Sequence, residues 1–319
     1  MLAQHRRELS VAATIAAFAL LLALLRPAFF AGDNLLDLFL ANMPVLIVAL
    51  GATLVILMGN IDISVGSAFA ICSVVAGLTA KEGMPMPLVV VVVCAVGGLL
   101  GAINGALVAY ARIPSIVVTL AMLVALRDGL RWTTQGEWVQ DLPASFQWMG
   151  SSQAIYPFLA AAITVALAVG LSWTLGNLPA GRAVYATGSN PIAARLAGLR
   201  VEMVTLLVFA IAGGFTGLAA ILNGVRFNQI PSNAGLGLEM KVIAAVVVGG
   251  TAIAGGRGTV AGTVLGVVLL GMIGPALTFL GVSAYWERAL QGAIILTAVA
   301  FDALRVAPRV HPRVAASTS

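Results

Sequence analysis

The sequence has little charge and few residues suited to enzymatic chemistry. Only 9% of its 319 residues are charged, against about a quarter in soluble globular domains. It has 2 cysteines and 2 histidines, and it lacks a phosphate-binding loop, a Gly-x-Ser-x-Gly elbow and a His-Glu-x-x-His pair. These absences argue against a soluble fold, a disulfide framework, a metal site and a catalytic centre. We therefore expect no enzymatic activity and no cofactor bound by this chain.

Hydrophobic residues make up 61% of the sequence. Because a bilayer core about 30 Å thick needs about 20 apolar residues per helix, the sequence predicts an all-α polytopic membrane protein with one transmembrane domain over residues 1–319. The segment 240–255 is short, and it either spans the membrane or is re-entrant. The ten predicted spans are 11–30, 38–58, 62–80, 86–110, 114–131, 154–175, 203–224, 240–255, 259–281 and 286–304.

The basic residues are unevenly placed between the predicted spans. There are 17 Lys and Arg against 12 Asp and Glu, a balance that could also suggest nucleic-acid binding. With a cytoplasmic N-terminus, however, ten arginines fall on the inner face with few acids beside them, which is the positive-inside bias of membrane proteins. Both termini are therefore predicted to be cytoplasmic. The inner arginines are Arg6, Arg7, Arg112, Arg182, Arg195, Arg200, Arg257, Arg305, Arg309 and Arg313.

Two apolar segments, 55–66 and 245–256, are interrupted by glycine in a matching pattern. At a constant offset of 190 residues, Gly59 aligns with Gly249 and Gly66 with Gly256. Paired interruptions of this kind are typical of duplicated transporters with broken helices. We predict pseudo-repeats over about 1–175 and 176–319, in parallel because both turns would face the cytoplasm. The helix-breaking glycines are Gly59, Gly66, Gly249, Gly250, Gly255 and Gly256.

A polar segment over 176–202 is predicted to lie in the cytoplasm. Within it, Asn190 suits a helix N-cap, Pro191 the first helical position and Gly198 the left-handed position past the end. A helix of about seven residues is only about 10 Å long, too short to cross a membrane. It is either an interfacial connector or a helix that couples the chain to a partner. The residues that define it are Gly188, Asn190, Pro191, Ala194, Arg195 and Gly198.

Asp62 is a lone acid between apolar runs, where a charge costs about 2.5–3.5 kcal/mol on insertion scales. Three roles remain open for it: a cap for the helix that follows, a wall of a solute path, or a proton relay. A second polar cluster, around Pro231, offers uncharged amides that suit a neutral hydroxylated solute; it is either a solvated loop or part of the path. The candidate path residues are Asn60, Asp62, Ser64, Asn228, Gln229, Asn233 and Glu239.

Small and polar residues within the spans predict contacts between helices. Gly97, Gly98, Gly101 and Gly105 follow the small-x-x-x-small pattern of close helix packing. Outside the spans, the segment 131–153 mixes aromatic and polar residues, as expected either for an aromatic belt at the membrane surface or for a docking surface.

Three stretches carry a family resemblance: Gly-Asn-Ile-Asp-Ile-Ser-Val-Gly-Ser at 59–67, Ala-Thr-Gly-Ser-Asn-Pro-Ile-Ala-Ala-Arg-Leu-Ala-Gly at 186–198, and 233–251 with Gly-Gly-Arg-Gly-Thr at 255–259. In this order they resemble the permease subunits of bacterial ABC importers for monosaccharides, the ribose, xylose, rhamnose and autoinducer-sugar group. The runs 225–233 and 281–291 look most like rhamnose-type permeases. Asn60 departs from the family pattern, in which this position is more often glycine.

The resemblance implies a permease in the bacterial inner membrane that moves a monosaccharide, rhamnose or a related sugar, from periplasm to cytoplasm by alternating access. Its implied partners are an ABC ATPase that hydrolyses ATP with Mg²⁺, a second permease that is identical or paralogous, a periplasmic sugar-binding protein and membrane lipid, but no nucleic acid. The helix at 190–198 would dock in the ATPase. The alternatives are an ion-coupled secondary carrier that uses Asp62 and a passive channel.

Overall fold

The computed structural model describes residues 2–297 except 284, 288, 294 and 295, with side chains described from residue 8 onward. The described residues form an all-helical fold in which the only strand-like pairing is an isolated bridge between Val139 and Ile230. The helices are α1 Leu2–Leu25, α2 Gly32–Leu57, α3 Val65–Lys81, α4 Met86–Ala109, α5 Ser115–Thr134, α6 Tyr156–Asn177, α7 Pro179–Ser189, α8 Pro191–Leu196, α9 Val201–Gly224, α10 Leu238–Val248 and α11 Val260–Phe279.

Of the helices in the described part of the chain, six are long and apolar enough to cross a membrane: α1, α2, α4, α6, α9 and α11. The α3 helix has 17 residues, and α5 carries three charged residues, Arg127, Asp128 and Arg131. The predicted span 286–304 is described only in part, because residues 288, 294, 295 and 298–304 lie outside the described residues. The polytopic all-α class is thus confirmed, whereas the count of ten spans is not.

The predicted segment 240–255 is a short helix followed by a turn. Its helix, α10, has 11 residues and is therefore about 16 Å long at 1.5 Å per residue. This helix covers only about half of a hydrocarbon core about 30 Å thick. The remaining residues of the segment form the glycine-rich turn that precedes α11.

The glycine face of α4 packs closely on α9. A Cβ atom on Gly97 would collide with the carbonyl of Gly213, and one on Gly101 with the carbonyl of Phe209. Gly98 is looser, because its Cβ atom would lie 3.5 Å from the Ala210 oxygen. The predicted close packing of small residues is confirmed for Gly97 and Gly101, and Gly98 is packed less tightly.

The helix ends gather at two opposite ends of the bundle. At one end, which we call the coupling end, lie the α2–α3 turn, the α4–α5 loop, α7, α8 and the α10–α11 turn, with Arg112 and Arg195 lining one cleft. At the other, the outer end, the loop after α5 pairs with the segment after α9. Arg112 and Arg195 are among the arginines that the positive-inside pattern assigned to the cytoplasm, while Arg305, Arg309 and Arg313 lie outside the described residues.

Candidate functional site

The first glycine turn connects α2 to α3 and is closed by Asp62. Gly59 has a φ of +73°, a conformation that glycine adopts without steric cost. The buried carboxylate of Asp62 accepts hydrogen bonds from the Ser64 backbone N–H at 2.9 Å and the Ser64 hydroxyl at 2.6 Å. Asp62 therefore satisfies a free donor at the start of α3, which matches the capping hypothesis among the three left open by the sequence.

Polar contacts fix this turn to two neighbouring helices. The side-chain amide of Asn104 on α4 donates to the Ser64 hydroxyl at 2.8 Å. On α5, the Ser115 hydroxyl accepts from the Ile61 backbone N–H at 3.2 Å, and Thr119 donates to the Ile61 carbonyl at 3.3 Å. The turn is thus held by side chains on both sides.

The second glycine turn follows α10 and runs through three left-handed glycines. Gly250, Gly255 and Gly256 have φ values of +100°, +84° and +73°. Two of the predicted helix-breaking glycines differ from the prediction. Gly66 lies inside α3, and Gly249 keeps a helical conformation at the C-cap of α10.

The two glycine turns meet each other and the end of α7. The Gly256 N–H donates to the Leu57 carbonyl at 2.8 Å. A Cβ atom on Gly188, the penultimate residue of α7, would fall on that same carbonyl, and one on Gly255 would lie 2.8 Å from both the Gly188 oxygen and the Gly59 nitrogen. Three backbones therefore touch with no side chain between them. We call this contact the glycine junction.

Tyr185 adds a side-chain contact to the junction. Its hydroxyl donates to the Gly258 carbonyl at 2.8 Å, which ties α7 to the second glycine turn. Burial raises the pKa of this hydroxyl above its ordinary value, so it stays a neutral donor at physiological pH.

The predicted short helix is present as α8, which continues from the glycine junction. The Asn190 side chain accepts from the backbone N–H groups of Ile192 at 3.1 Å and Ala193 at 3.0 Å, as an N-cap should. Pro191 is its first residue, and Gly198 has a φ of +87°. The predicted cap, first position and left-handed end are confirmed.

The exposed face of α8 is apolar at two positions. Ile192 is 70% and Leu196 87% exposed, whereas Ala194 is buried against the bundle. Arg195 bridges to the first turn of α9 through a contact of 2.7 Å with Glu202. An exposed apolar face next to an ion pair is suited to contact with another protein.

The predicted path residues do not form one cluster. Asn60, Asp62 and Ser64 lie at the coupling end, where Asn60 lines a cleft of about 400 Å³. Asn228 and Gln229 line a cavity at the outer end, which we call the outer cavity, and Asn233 is exposed nearby.

Glu239 does not line the outer cavity. It is buried on α10, where its carboxylate occupies the space that a side chain on Gly66 would need. It lies close enough to Arg127 on α5 to interact electrostatically with that guanidinium. Arg127 also donates to the Ala234 carbonyl at 2.9 Å.

The loop after α5 folds back onto the bundle. Val139 and Ile230 exchange backbone hydrogen bonds of 2.9 Å, and the Trp148 N–H donates to the Val225 carbonyl at 2.7 Å. Phe146 is fully buried. Phe146 therefore belongs to the core, although the segment 131–153 was predicted to form an aromatic belt or a docking surface.

Several functional candidates were missed by sequence reasoning. Ser73 and Trp138 line the outer cavity, and Leu57 and Tyr185 contact the glycine junction. No local signal distinguishes them from other apolar or interfacial residues. Arg127, as a charge within a predicted span, did carry a signal. In the described part of the chain, no group of three or more His, Cys, Asp or Glu residues could hold a metal ion.

Comparison with known proteins assigns the chain to a family. Residues 34–299 match the family described as branched-chain amino acid transport system / permease component. The autoinducer 2 import system permease protein LsrC of Salmonella typhi is 35% identical over 94% of this chain and 86% of its own length. The proteins of the same name from Enterobacter sp. (strain 638) and Escherichia coli (strain K12 / DH10B) are 36% and 33% identical, over 96% and 94% of this chain and 90% and 87% of their own lengths. No solved structure matches the chain significantly. The chain therefore belongs to this family of transport-system permease components.

Proposed function

We propose that this chain is the permease subunit of an ABC importer that moves a small sugar-type solute from the periplasm to the cytoplasm by alternating access. Autoinducer 2, named in the curated relatives, is the first substrate candidate. The names of these relatives do not mention rhamnose. We therefore do not assign rhamnose as the substrate on the basis of the similarity to rhamnose-type permeases. The chain would work in the inner membrane with an ABC ATPase that hydrolyses ATP with Mg²⁺, a second permease and a periplasmic binding protein.

The contact that carries this proposal is the glycine junction beneath α8. An ATPase that moves α8 would act on α7 through Asn190, the residue that both ends α7 and caps α8. Because Gly188 abuts the Leu57 carbonyl and Gly256 donates to it, the movement would reach α2 and the α10–α11 turn directly. The close backbone contacts support α8 as the coupling element, since they leave no flexible side chain to absorb the displacement.

An ion-coupled carrier is less well supported. Such a carrier needs a carboxylate that is free to exchange a proton or bind a cation. The Asp62 carboxylate accepts two hydrogen bonds from Ser64, whose hydroxyl in turn accepts from Asn104. This arrangement favours a structural cap. We therefore assign Asp62 no coupling role.

The experiment is solute uptake into proteoliposomes that contain the permease, its ATPase and the binding protein. Uptake of autoinducer 2 is expected only with ATP and Mg²⁺, and L-rhamnose and D-ribose serve as competing substrates. A matched preparation without the ATPase, but with an imposed proton or sodium gradient, tests the carrier alternative. Uptake against a concentration difference in that preparation would overturn the proposed function.

A further inference from the structure

The outer end of the bundle contains a cavity that the function proposed above does not yet use. It has a volume of about 280 Å³ and lies between α3, the loop after α5 and the segment after α9. This volume is just below the usual range for small-molecule sites, about 300–1,000 Å³, so the cavity suits only a small solute. Its polar and aromatic walls are formed by Ser73, Trp138, Asn223, Phe227, Asn228 and Gln229.

Ser73 lines the outer cavity and has an unsatisfied hydroxyl. The residue is only 2% exposed, and its Oγ has no hydrogen-bond partner in the described part of the chain. On the same helix, Ser67 donates to the Leu123 carbonyl and Thr79 to the Val75 carbonyl, each at 2.7 Å. A buried hydroxyl without a partner is unfavourable. A ligand hydroxyl that reaches the Ser73 hydroxyl would therefore supply the hydrogen-bond partner that it lacks.

Three amide side chains extend this polar surface. Among the described residues, Asn223, Asn228 and Gln229 have side chains that are engaged in no hydrogen bond. Each amide offers a carbonyl acceptor and an NH₂ donor. Together they match a solute with several hydroxyl groups, each of which both donates and accepts.

Aromatic rings form the apolar part of the wall. Trp138 is 46% and Phe227 47% exposed, so both rings are accessible from the cavity. Burial of an apolar C–H face of a sugar ring against them would remove nonpolar surface from water. The residues that line the outer cavity carry no formal charge, which favours a neutral solute because an ion would lose hydration without a counter-charge.

The walls of the outer cavity are held in place by backbone pairing. Trp138 and Gln229 are the immediate neighbours of Val139 and Ile230, which exchange two backbone hydrogen bonds of 2.9 Å. The Ser232 hydroxyl donates to the Gly136 carbonyl at 3.0 Å beside this pair. The aromatic and amide walls are therefore preorganised relative to each other, which lowers the entropic cost of binding.

We propose that the outer cavity binds a small neutral polyhydroxylated solute, so that the permease itself holds the sugar before translocation. Ser73 supplies a buried hydrogen bond, and Trp138 and Phe227 cover the apolar face of the ring. Asn223 supplies half-buried hydrogen-bonding groups, and Asn228 and Gln229 supply exposed ones. This inference rests on the proposed sugar import and locates a solute site on this chain. Its chemistry excludes phosphorylated sugars, which carry charge.

The test is binding to the purified permease in nanodiscs, without ATPase or binding protein. Equilibrium dialysis with radiolabelled autoinducer 2, L-rhamnose and D-ribose measures saturable binding. We expect at least one of these probes to bind, with affinity reduced about tenfold in Ser73→Ala, in line with the loss of a buried hydrogen bond, and comparably in Trp138→Leu. Asn228→Ala, at an exposed position, keeps the test valid if a buried variant fails to fold. Trp132→Leu is the matched control, because Trp132 is 76% exposed and does not line the cavity.

The possible outcomes separate this inference from the proposed function. No saturable binding of the three probes, together with ATP-driven uptake by the complete transporter, overturns the site but leaves the importer intact. Equal affinities in wild type, Ser73→Ala, Trp138→Leu and Asn228→Ala also overturn it. Binding that is lost in these variants and kept in Trp132→Leu supports the site. If binding follows this pattern but the complete transporter imports none of the probes, the importer proposal is overturned.

Discussion

The backbone N–H of Gly256 donates to the carbonyl of Leu57 at 2.8 Å. This hydrogen bond joins the last residue of α2 to the turn before α11, and therefore the first third of the chain to its last. Gly188 faces the same carbonyl from α7. One oxygen atom thus lies at the meeting point of the two glycine turns and the helix that leads to α8.

Gly188→Ala should disrupt this meeting point. Its Cβ atom would occupy the position of the Leu57 carbonyl oxygen, and overpacking of this kind costs about 1–3 kcal/mol. We expect a lower midpoint of thermal unfolding in detergent and loss of ATP-driven uptake. Gly176→Ala in α6 is the control, because a Cβ atom there meets nothing within 4 Å. An unfolding midpoint for Gly188→Ala equal to that of the control would contradict the geometry of the junction.

Two adjacent glycines on α4 should respond differently to the same substitution. Gly97→Ala would force α4 away from the Gly213 carbonyl, whereas Gly98→Ala makes an ordinary contact at 3.5 Å with the Ala210 oxygen. Alanine is favoured over glycine in a helix by up to about 1 kcal/mol. We therefore expect Gly97→Ala to lower the thermal unfolding midpoint and Gly98→Ala to leave it unchanged or raise it. Equal midpoints for the two variants would contradict the close α4–α9 packing.

Arg195→Glu should abolish solute-stimulated ATP hydrolysis in the assembled transporter while the permease stays folded. An exposed ion pair such as Arg195 with Glu202 contributes only about 0.2–1 kcal/mol, so its loss cannot explain a complete loss of coupling. The informative control is the charge swap Arg195→Glu with Glu202→Arg, which restores the ion pair within the chain. If position 195 contacts the ATPase, hydrolysis stays low in the swap. Full recovery in the swap would assign Arg195 to the α8–α9 contact alone.

Asp62→Asn should leave transport ATP-dependent and reduce its rate only modestly. The carboxamide oxygen can still accept from the Ser64 N–H, which the Asp62 carboxylate does at 2.9 Å. Asp62→Ala removes the acceptor and should destabilise the permease by about 1 kcal/mol, as for the loss of a helix cap. Uptake rates measured between pH 6 and 8, roughly the range around neutrality in which a relay would titrate, should have the same profile in wild type and Asp62→Asn. A stable Asp62→Asn protein without uptake would revive the proton-relay hypothesis.

Local patterns in the sequence predicted local structure well. The roles of Asn190, Pro191 and Gly198 in starting and ending a helix depend only on the backbone within a few residues of each. Their spacing was therefore enough to predict α8. The small-residue pattern on α4 predicted close helix packing, because glycines four residues apart lie on one helix face, but it did not identify α9 as the partner. Hydropathy identified the membrane class, but α5 with its charges and the short α10 prevent the span count from being confirmed.

Contacts between distant parts of the chain were beyond the reach of these patterns. The glycine junction joins residues near 57, 188 and 256, and no spacing rule relates them. The offset of 190 residues aligned Gly66 with Gly256, yet Gly66 lies in a helix where it makes room for Glu239. Ser73 was missed because a serine within an apolar helix usually satisfies its own hydroxyl, and only the fold shows that this one does not.

The pairing of Val139 with Ile230 constrains how the outer end can open. Two backbone hydrogen bonds make the loop after α5 and the segment after α9 one mechanical unit. That unit rests on α3 at Gly77, where a Cβ atom would come within 3.0 Å of both the Ile230 and Val139 side chains. Because Gly77 has no side chain, the paired loops pack directly against the α3 backbone. Any widening of the entrance between these loops and α3 would therefore have to displace both loops together.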